Sequence, residues 1–382
     1  MRRFLSILLV VCMAAFVVSA QAASSTPASG EPILVGVSNM VTGPMAAGGL
    51  RMKQSITMAF DEINANGGVL GGRPLEMVLV DDTGTPTGAV TAANRILASD
   101  VVACMGPHTS PMVAASQDFF REAEVPFFSA ATSPKLLEAE NPYFFRLSVS
   151  DGQVGPVMVK FAMEKFGAKK IAALHDTNDY GTAANDATAQ YCKDNGIEYY
   201  SEGYTTGDKD LTSQLLKLKA WGPDAIFSFS HDAEVALHIR QTNELGMRDI
   251  PFVGPSALPM PQTLALVEGS QVAGFYASTD YFGDTTDPVL NEFLVKFNER
   301  WGQEADRYAA IYYTASYLLA DAIERAGSAD SKAVRDALAE TKDFVTIMGS
   351  MTANEFGEMN TNVYILEIDE EKNLSLAQKV SL

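Results

Sequence analysis

Three histidines and two short polar turns are the residues whose types and spacing could do chemistry. His108, His175 and His231 each fall at or just past the C-terminal end of an apolar run of strand length, and His238 follows seven residues after His231. A zinc site needs three or four converging ligands, and no short spacing here offers them. No resident metal and no cofactor are therefore expected, and His231 is instead either a ligand contact at the rim or a plain capping residue. Gly106-Pro107-His108-Thr109-Ser110-Pro111 leaves one apolar run and opens a helical pattern. Backbone N–H groups and the hydroxyls of Thr109 and Ser110 at such a helix start suit an anion such as a carboxylate. Ser110 also reads as an N-cap with Pro111 at the first helical position; capping and anion binding can share one turn. Ser129-Ala130-Ala131-Thr132-Ser133-Pro134 is a second exit from an apolar run, and its small residues let a ligand approach the backbone. G-x-S-x-G, H-E-x-x-H, G-x-x-x-x-G-K-[ST] and G-x-G-x-x-G are all absent from the sequence. Cys104 and Cys192 fall in a predicted core strand and a helix, where a thiol is a small hydrophobe rather than a nucleophile. The chain is not expected to be an enzyme.

The elements that must position these turns alternate along the chain. Strands are predicted at 33–38, 75–80, 101–105 and 126–129, with helices at 51–65, 87–99 and 110–124 between them. The pattern restarts after Asp151-Gly152. Helices at 154–166, 180–195, 211–220 and 233–246 then alternate with strands at 170–174, 197–200, 225–229 and 252–253, and a strand at 272–277 closes the series. Two long helices, 288–301 and 308–326, and a late strand at 364–368 complete the chain. Such alternation predicts an α/β fold of two lobes, each a parallel sheet sandwiched by helices. Open parallel sheets bind ligands outside the carboxyl ends of their strands, so two facing units make a cleft that can close by hinge motion.

Composition narrows the class. The chain has 382 residues, 47% of them hydrophobic and 20% charged, and a net charge of −19. It is long enough for two domains with substantial cores. So acidic a chain without any Lys/Arg-rich run is a poor partner for nucleic acid. Met1-Arg2-Arg3, the apolar run Phe4–Val18 and the small residues Ser19–Ala23 read as a secretory signal, 1–22, cut after Ala22. Residues 23–31 then form a small, polar tether. The expected location is periplasmic.

These segments together resemble the leucine/isoleucine/valine-binding protein family, the type I periplasmic receptors of branched-chain amino acid-type ABC importers. The markers are Thr42-Gly43-Pro44, DEINANGGVLGG at 61–72, VDDTGTP at 80–86, FFSAATSP at 127–134, HDTNDYG at 175–181 and FVGPSAL at 252–258. The resemblance implies three hinge crossovers, near Ser148–Gly152, Thr279–Tyr281 and Met348–Thr352. The implied lobes are 32–149 plus 280–347 and 150–279 plus 348–382. It implies a carboxylate pocket made by the hydroxyl of Thr109 or Ser110, the backbone of Ala130 and the hydroxyl of Thr132. Tyr180 is the implied lobe-closing residue, and Tyr308 an aromatic wall. Departures alter that pocket. Ser256 stands where the family has its ammonium-pairing glutamate, and an ammonium without a countercharge is costly to bury. His231 replaces a tyrosine, Gly84 and His108 stand at the positions of a disulfide, and Ala47-Gly48-Gly49 replaces an aromatic cover. The expected ligand keeps a carboxylate and lacks an α-ammonium, as an aromatic or branched aliphatic acid does; an amino acid held by another acid, such as Asp280, is the alternative. The expected function is a solute receptor that serves the membrane permease subunits of an ABC importer as a monomer, without nucleic acid. The alternative is a ligand-sensing receptor acting with a separate signalling partner.

Overall fold

The protein is described by a computed structural model for residues 26–360 and 362–382. The expected signal peptide, 1–22, and the start of the tether, 23–25, lie outside the described residues.

The chain first lays down β1 (Ile33–Asn39), α1 (Ala46–Ala65), β2 (Leu75–Asp81), α2 (Pro86–Leu97), β3 (Val101–Met105), α3 (Ser110–Glu122), β4 (Phe127–Ser129) and β5 (Phe144–Arg146). The five strands form one all-parallel sheet in the order β2-β1-β3-β4-β5. β3, β4 and β5 are buried at every position, as strands covered by helices on both faces require. The second unit follows with α4 (Asp151–Phe166), β6 (Lys170–Asp176), α5 (Asp179–Asp194), β7 (Glu198–Tyr204), α6 (Thr212–Trp221), β8 (Ala225–Phe229), α7 (Asp232–Glu244), β9 (Phe252–Gly254), α8 (Pro261–Leu264), α9 (Gly269–Val272) and β10 (Tyr276–Thr279).

The chain then returns to the first unit. Of α10 (Pro288–Trp301), α11 (Arg307–Ala326) and α12 (Ser331–Ala339), α11 packs along α1, and side chains of all three enter the core of the first sheet. A small hairpin, β11 (Phe344–Thr346) with β12 (Gly349–Met351), precedes β13 (Asn362–Ile368) and β14 (Leu374–Ser381). β13 and β14 complete a seven-stranded sheet in the order β14-β13-β10-β9-β8-β6-β7. The fold is thus α/β, with parallel sheets flanked by helices.

Four differences from the sequence reading have physical reasons. The second sheet is parallel only through β10; β13 pairs antiparallel with β10, and β14 antiparallel with β13, the turn at 369–373 being too short for a parallel crossover. The strand expected at 272–277 begins at Tyr276, after the one-turn helix α9. α1 starts at Ala46 rather than at 51, through Gly48 and Gly49. A Cβ on Gly49 would lie 2.1 Å from the Met40 carbonyl oxygen, so the glycine allows close packing rather than a break. The third crossing also comes later than 348–352. The hairpin is followed by a segment whose Gly357 and Met359 exchange backbone hydrogen bonds with Arg146 at the edge of the first sheet, and the chain enters the second sheet only at Asn362.

Candidate functional site

A cavity of about 360 Å³ lies between the two units. Thr109, Ser110, Ala130, Thr132, Tyr180, His231, Ser256 and Tyr308, all singled out by sequence, line it. His108 and Arg307 join them.

The first unit builds one wall. β3 hands the chain to Gly106, whose φ of +84° and whose missing Cβ, which would sit 2.1 Å from the Ser38 carbonyl oxygen, admit glycine alone. A cis peptide to Pro107 follows and delivers His108 to the cavity. His108 Nδ1 lies within hydrogen-bond distance, 3.1 Å, of the Tyr312 hydroxyl. Burial, with the nearby Arg307 and His231 charges adding to it, holds the His108 pKa well below the usual histidine range, so the ring is a neutral donor.

The Ala131 N–H donates to Ser129 Oγ at 3.1 Å. Hydroxyls and an imidazole line the cavity beside Ala130. The N-cap of α3 is Thr109, not Ser110, and its hydroxyl makes no capping bond. Ser110 Oγ accepts from the Ser133 N–H at 3.1 Å and keeps its own proton to donate. The Thr132 carbonyl accepts from the Asp151 N–H at 2.9 Å and from Arg146, which also donates to the Ser133 carbonyl at 2.9 Å. These hydrogen bonds hold the turn against α4 and β5.

Arg307 is the functional residue that sequence reasoning missed. It is the first residue of α11 and is buried. Its guanidinium pairs with Asp280 through Nε and Nη2 and donates to Ser148 Oγ at 2.7 Å. Asp280 also accepts from the Val149 N–H at 3.1 Å. One ion pair thus ties two inter-unit crossovers to the start of α11. Asp280 is consumed by it, so Asp280 is not the spare acid for an ammonium. Arg307 Nη1 has no partner among the described residues. A lone arginine between two helical patterns carries no local signal of this role; only the pairing of Asp280 with a distant cation could have suggested it.

Asp151 is the acid that sequence reasoning did not weigh. It lines an adjoining cavity of about 330 Å³ with Thr132, Ser256 and Arg307, and its Oδ2 is buried without a partner. Desolvation pushes its pKa up to about 6, against the opposing pull of the Thr132 hydroxyl, Arg146 and Arg307.

The second unit supplies an aromatic wall. Asn178 caps α5 through the Tyr180 and Gly181 N–H groups, which turns Tyr180 toward the first unit. The Tyr180 and His231 rings lie 4.8 Å apart at 33°, and burial lowers the His231 pKa. From the first unit, the Tyr308 ring meets His108 edge-on at 4.0 Å. A Cβ on Gly48 would be 2.6 Å from the Tyr308 ring, so the ring occupies the room left by Ala47-Gly48-Gly49. The units also meet beside the cavity, where Gln262 Nε2 donates to Asp232 at 3.2 Å and to Asp306 at 3.4 Å. Burial raises Asp232 to about 7 and Asp306, the cap of α11, to about 6.

Comparison with known proteins agrees with this arrangement. The family model described as periplasmic binding protein matches residues 32–373. The Leu/Ile/Val-binding protein homolog 1 of Brucella abortus is 29% identical over 337 residues, 87% of this chain and 89% of that protein. The leucine-, isoleucine-, valine-, threonine- and alanine-binding protein of Pseudomonas aeruginosa is 29% identical over 331 residues, 86% of this chain and 87% of that one. The crystal structure of a leucine-binding protein from Thermotoga maritima superposes with a TM-score of 0.85 at 25% identity, covering 91% of this chain and 99% of that one. The chain belongs to the periplasmic binding protein family, a family of solute-binding proteins of transporters rather than of enzymes. No helix among the described residues is long and apolar enough to cross a membrane.

Proposed function

We propose that this family member is an extracytoplasmic receptor that closes on a small carboxylate between its two units and delivers it to the permease subunits of an ABC importer. One observation carries the ligand class. The central cavity is lined by a guanidinium, two neutral imidazoles, hydroxyls and aromatic rings, and by no carboxylate. Donors on one side favour an anion, and rings on the other favour an aromatic or branched aliphatic body. An ammonium at Ser256 would be desolvated with no countercharge.

A second reading rests on Asp151. Its unpartnered Oδ2 lines a chamber shared with Thr132 and Ser256, so it is a candidate partner for the ammonium of an α-amino acid. A thermal-shift screen of unfolded and refolded protein separates the two. A ligand at about 100 times its dissociation constant stabilises the folded state by about 2.7 kcal/mol. Shifts from carboxylates without an α-amino group support the first reading. Shifts from α-amino acids alone, abolished in Asp151→Asn, support the second and overturn the first.

A further inference from the structure

We propose that the solute site does not end at the central cavity but continues past Ser256 and Arg307 into a groove that takes the chain of an elongated monocarboxylate. The inference rests on the reading of the central cavity as a carboxylate site. Ser256 and Arg307 line three spaces: the central cavity, the Asp151 chamber and a groove of about 1730 Å³ between the units. Ser256 is small and only half-buried, so the passage it borders is not closed by side-chain bulk.

The groove differs in character from the cavity that feeds it. Met260 and Leu264, both buried, line it from the second unit; Leu294 of α10 and Phe282, which lies beside Tyr364 of β13, are half-buried. A hydrocarbon chain there would remove the remaining exposed area of Phe282 and Leu294 from water. Tyr281 lines the same groove, and its hydroxyl is buried without a hydrogen-bond partner. Such a group gains a bond only from a ligand or water that enters. Glu304 and Asp306 also line the groove. The Lys372 ammonium there is turned to the Leu264 and Val267 carbonyls at 3.1 and 3.3 Å. A second carboxylate beside Glu304 or Asp306 would meet like charge, while the Lys372 donors are already directed to carbonyls, and the site favours one acid group per ligand.

The test is calorimetric titration of the refolded full chain with butanoate, hexanoate, octanoate and octanedioate. Affinity is expected to rise about fourfold per methylene once the chain passes Ser256. Octanedioate is expected to bind at least about tenfold more weakly than octanoate. Ala265→Trp, which fills the groove, and Leu294→Gln, which removes its apolar flank, are each expected to weaken octanoate at least about fivefold and leave butanoate within about twofold. The free variants' melting temperatures show that they fold, and either variant alone decides the matter. Equal affinity for all chain lengths, or octanoate binding unchanged in both variants, overturns the extension while leaving the carboxylate site intact. Failure of every monocarboxylate to bind, with α-amino acids binding instead, overturns the carboxylate reading and the extension with it.

Discussion

The two walls of the cavity are built differently. On the first unit, Thr109, Ser110, Ala130 and His108 are all buried, with hydrogen bonds between Tyr312 and His108 and from the Ser133 N–H to Ser110. On the second unit, His231 and Ser256 are half-buried, and the His231 side chain makes no capping bond. The rings of that wall are held by stacking rather than by hydrogen bonds. On the proposed reading, the first wall would receive the acid head through groups already held in place, and the second would add apolar contact over its body when the units come together.

The largest expected effect strikes what joins the two walls. Arg307→Ala leaves Asp280 buried and uncompensated, and removing one partner of a buried pair costs about 3–5 kcal/mol. Thermal unfolding should show a melting temperature lowered by many degrees; an unchanged one would remove the crossover knot from the account. On the first wall, Thr132→Ala is expected to weaken carboxylate binding by about 1–3 kcal/mol, with Thr132→Ser restoring most of it. Titration of both variants checks this, and equal affinity in all three proteins would mean that the hydroxyl serves Asp151 alone.

The pH dependence of closing tests the contact between the walls. Both Asp232 and Asp306 are raised, so the closed form holds protons that an open form, with carboxyls in their ordinary range, has released. Closing is therefore favoured at low pH. The advantage is lost as pH rises through about 6 for Asp306 and about 7 for Asp232. Each group contributes at most about 1.4 kcal/mol, or tenfold in affinity, per pH unit within its window. Arg51 opposes the rise at Asp306, and Glu234 adds to it at Asp232. Affinity measured from pH 5.5 to 8 should fall, and Asp232→Asn should flatten the profile; a flat wild-type profile sinks the idea. The smallest effect is expected on the aromatic wall. His231→Ala removes one ring pair, at about 0.5–1.5 kcal/mol of binding, with little change in the stability of the free protein. A large loss of stability instead would make His231 part of the core.

Much of the fold was legible because most strands of the parallel sheets are short apolar runs, β7 (Glu198–Tyr204) being the polar exception, and the long helices between them carry apolar residues at helical spacing. Elements that draw their stability from neighbours were not: β5 is three residues long, α12 is nine, and β14 is mostly exposed along an edge. All eight candidate residues meet at one cavity because each sits where a strand or helix pattern breaks, and breaks in this topology cluster at the strands' carboxyl ends.

Local chemistry along the chain thus determined the elements, the turns that end them and the polar groups those turns carry. Tertiary structure alone decided which of those groups remain available to a ligand. Asp280's charge is taken by Arg307 and the gap at Gly48 by the Tyr308 ring, from partners 27 and 260 residues away. Hydrogen-bond capacity and buried charge are satisfied by whatever lies within about 3 Å. Distance in space, unlike residue type and spacing, is set only when the chain has folded.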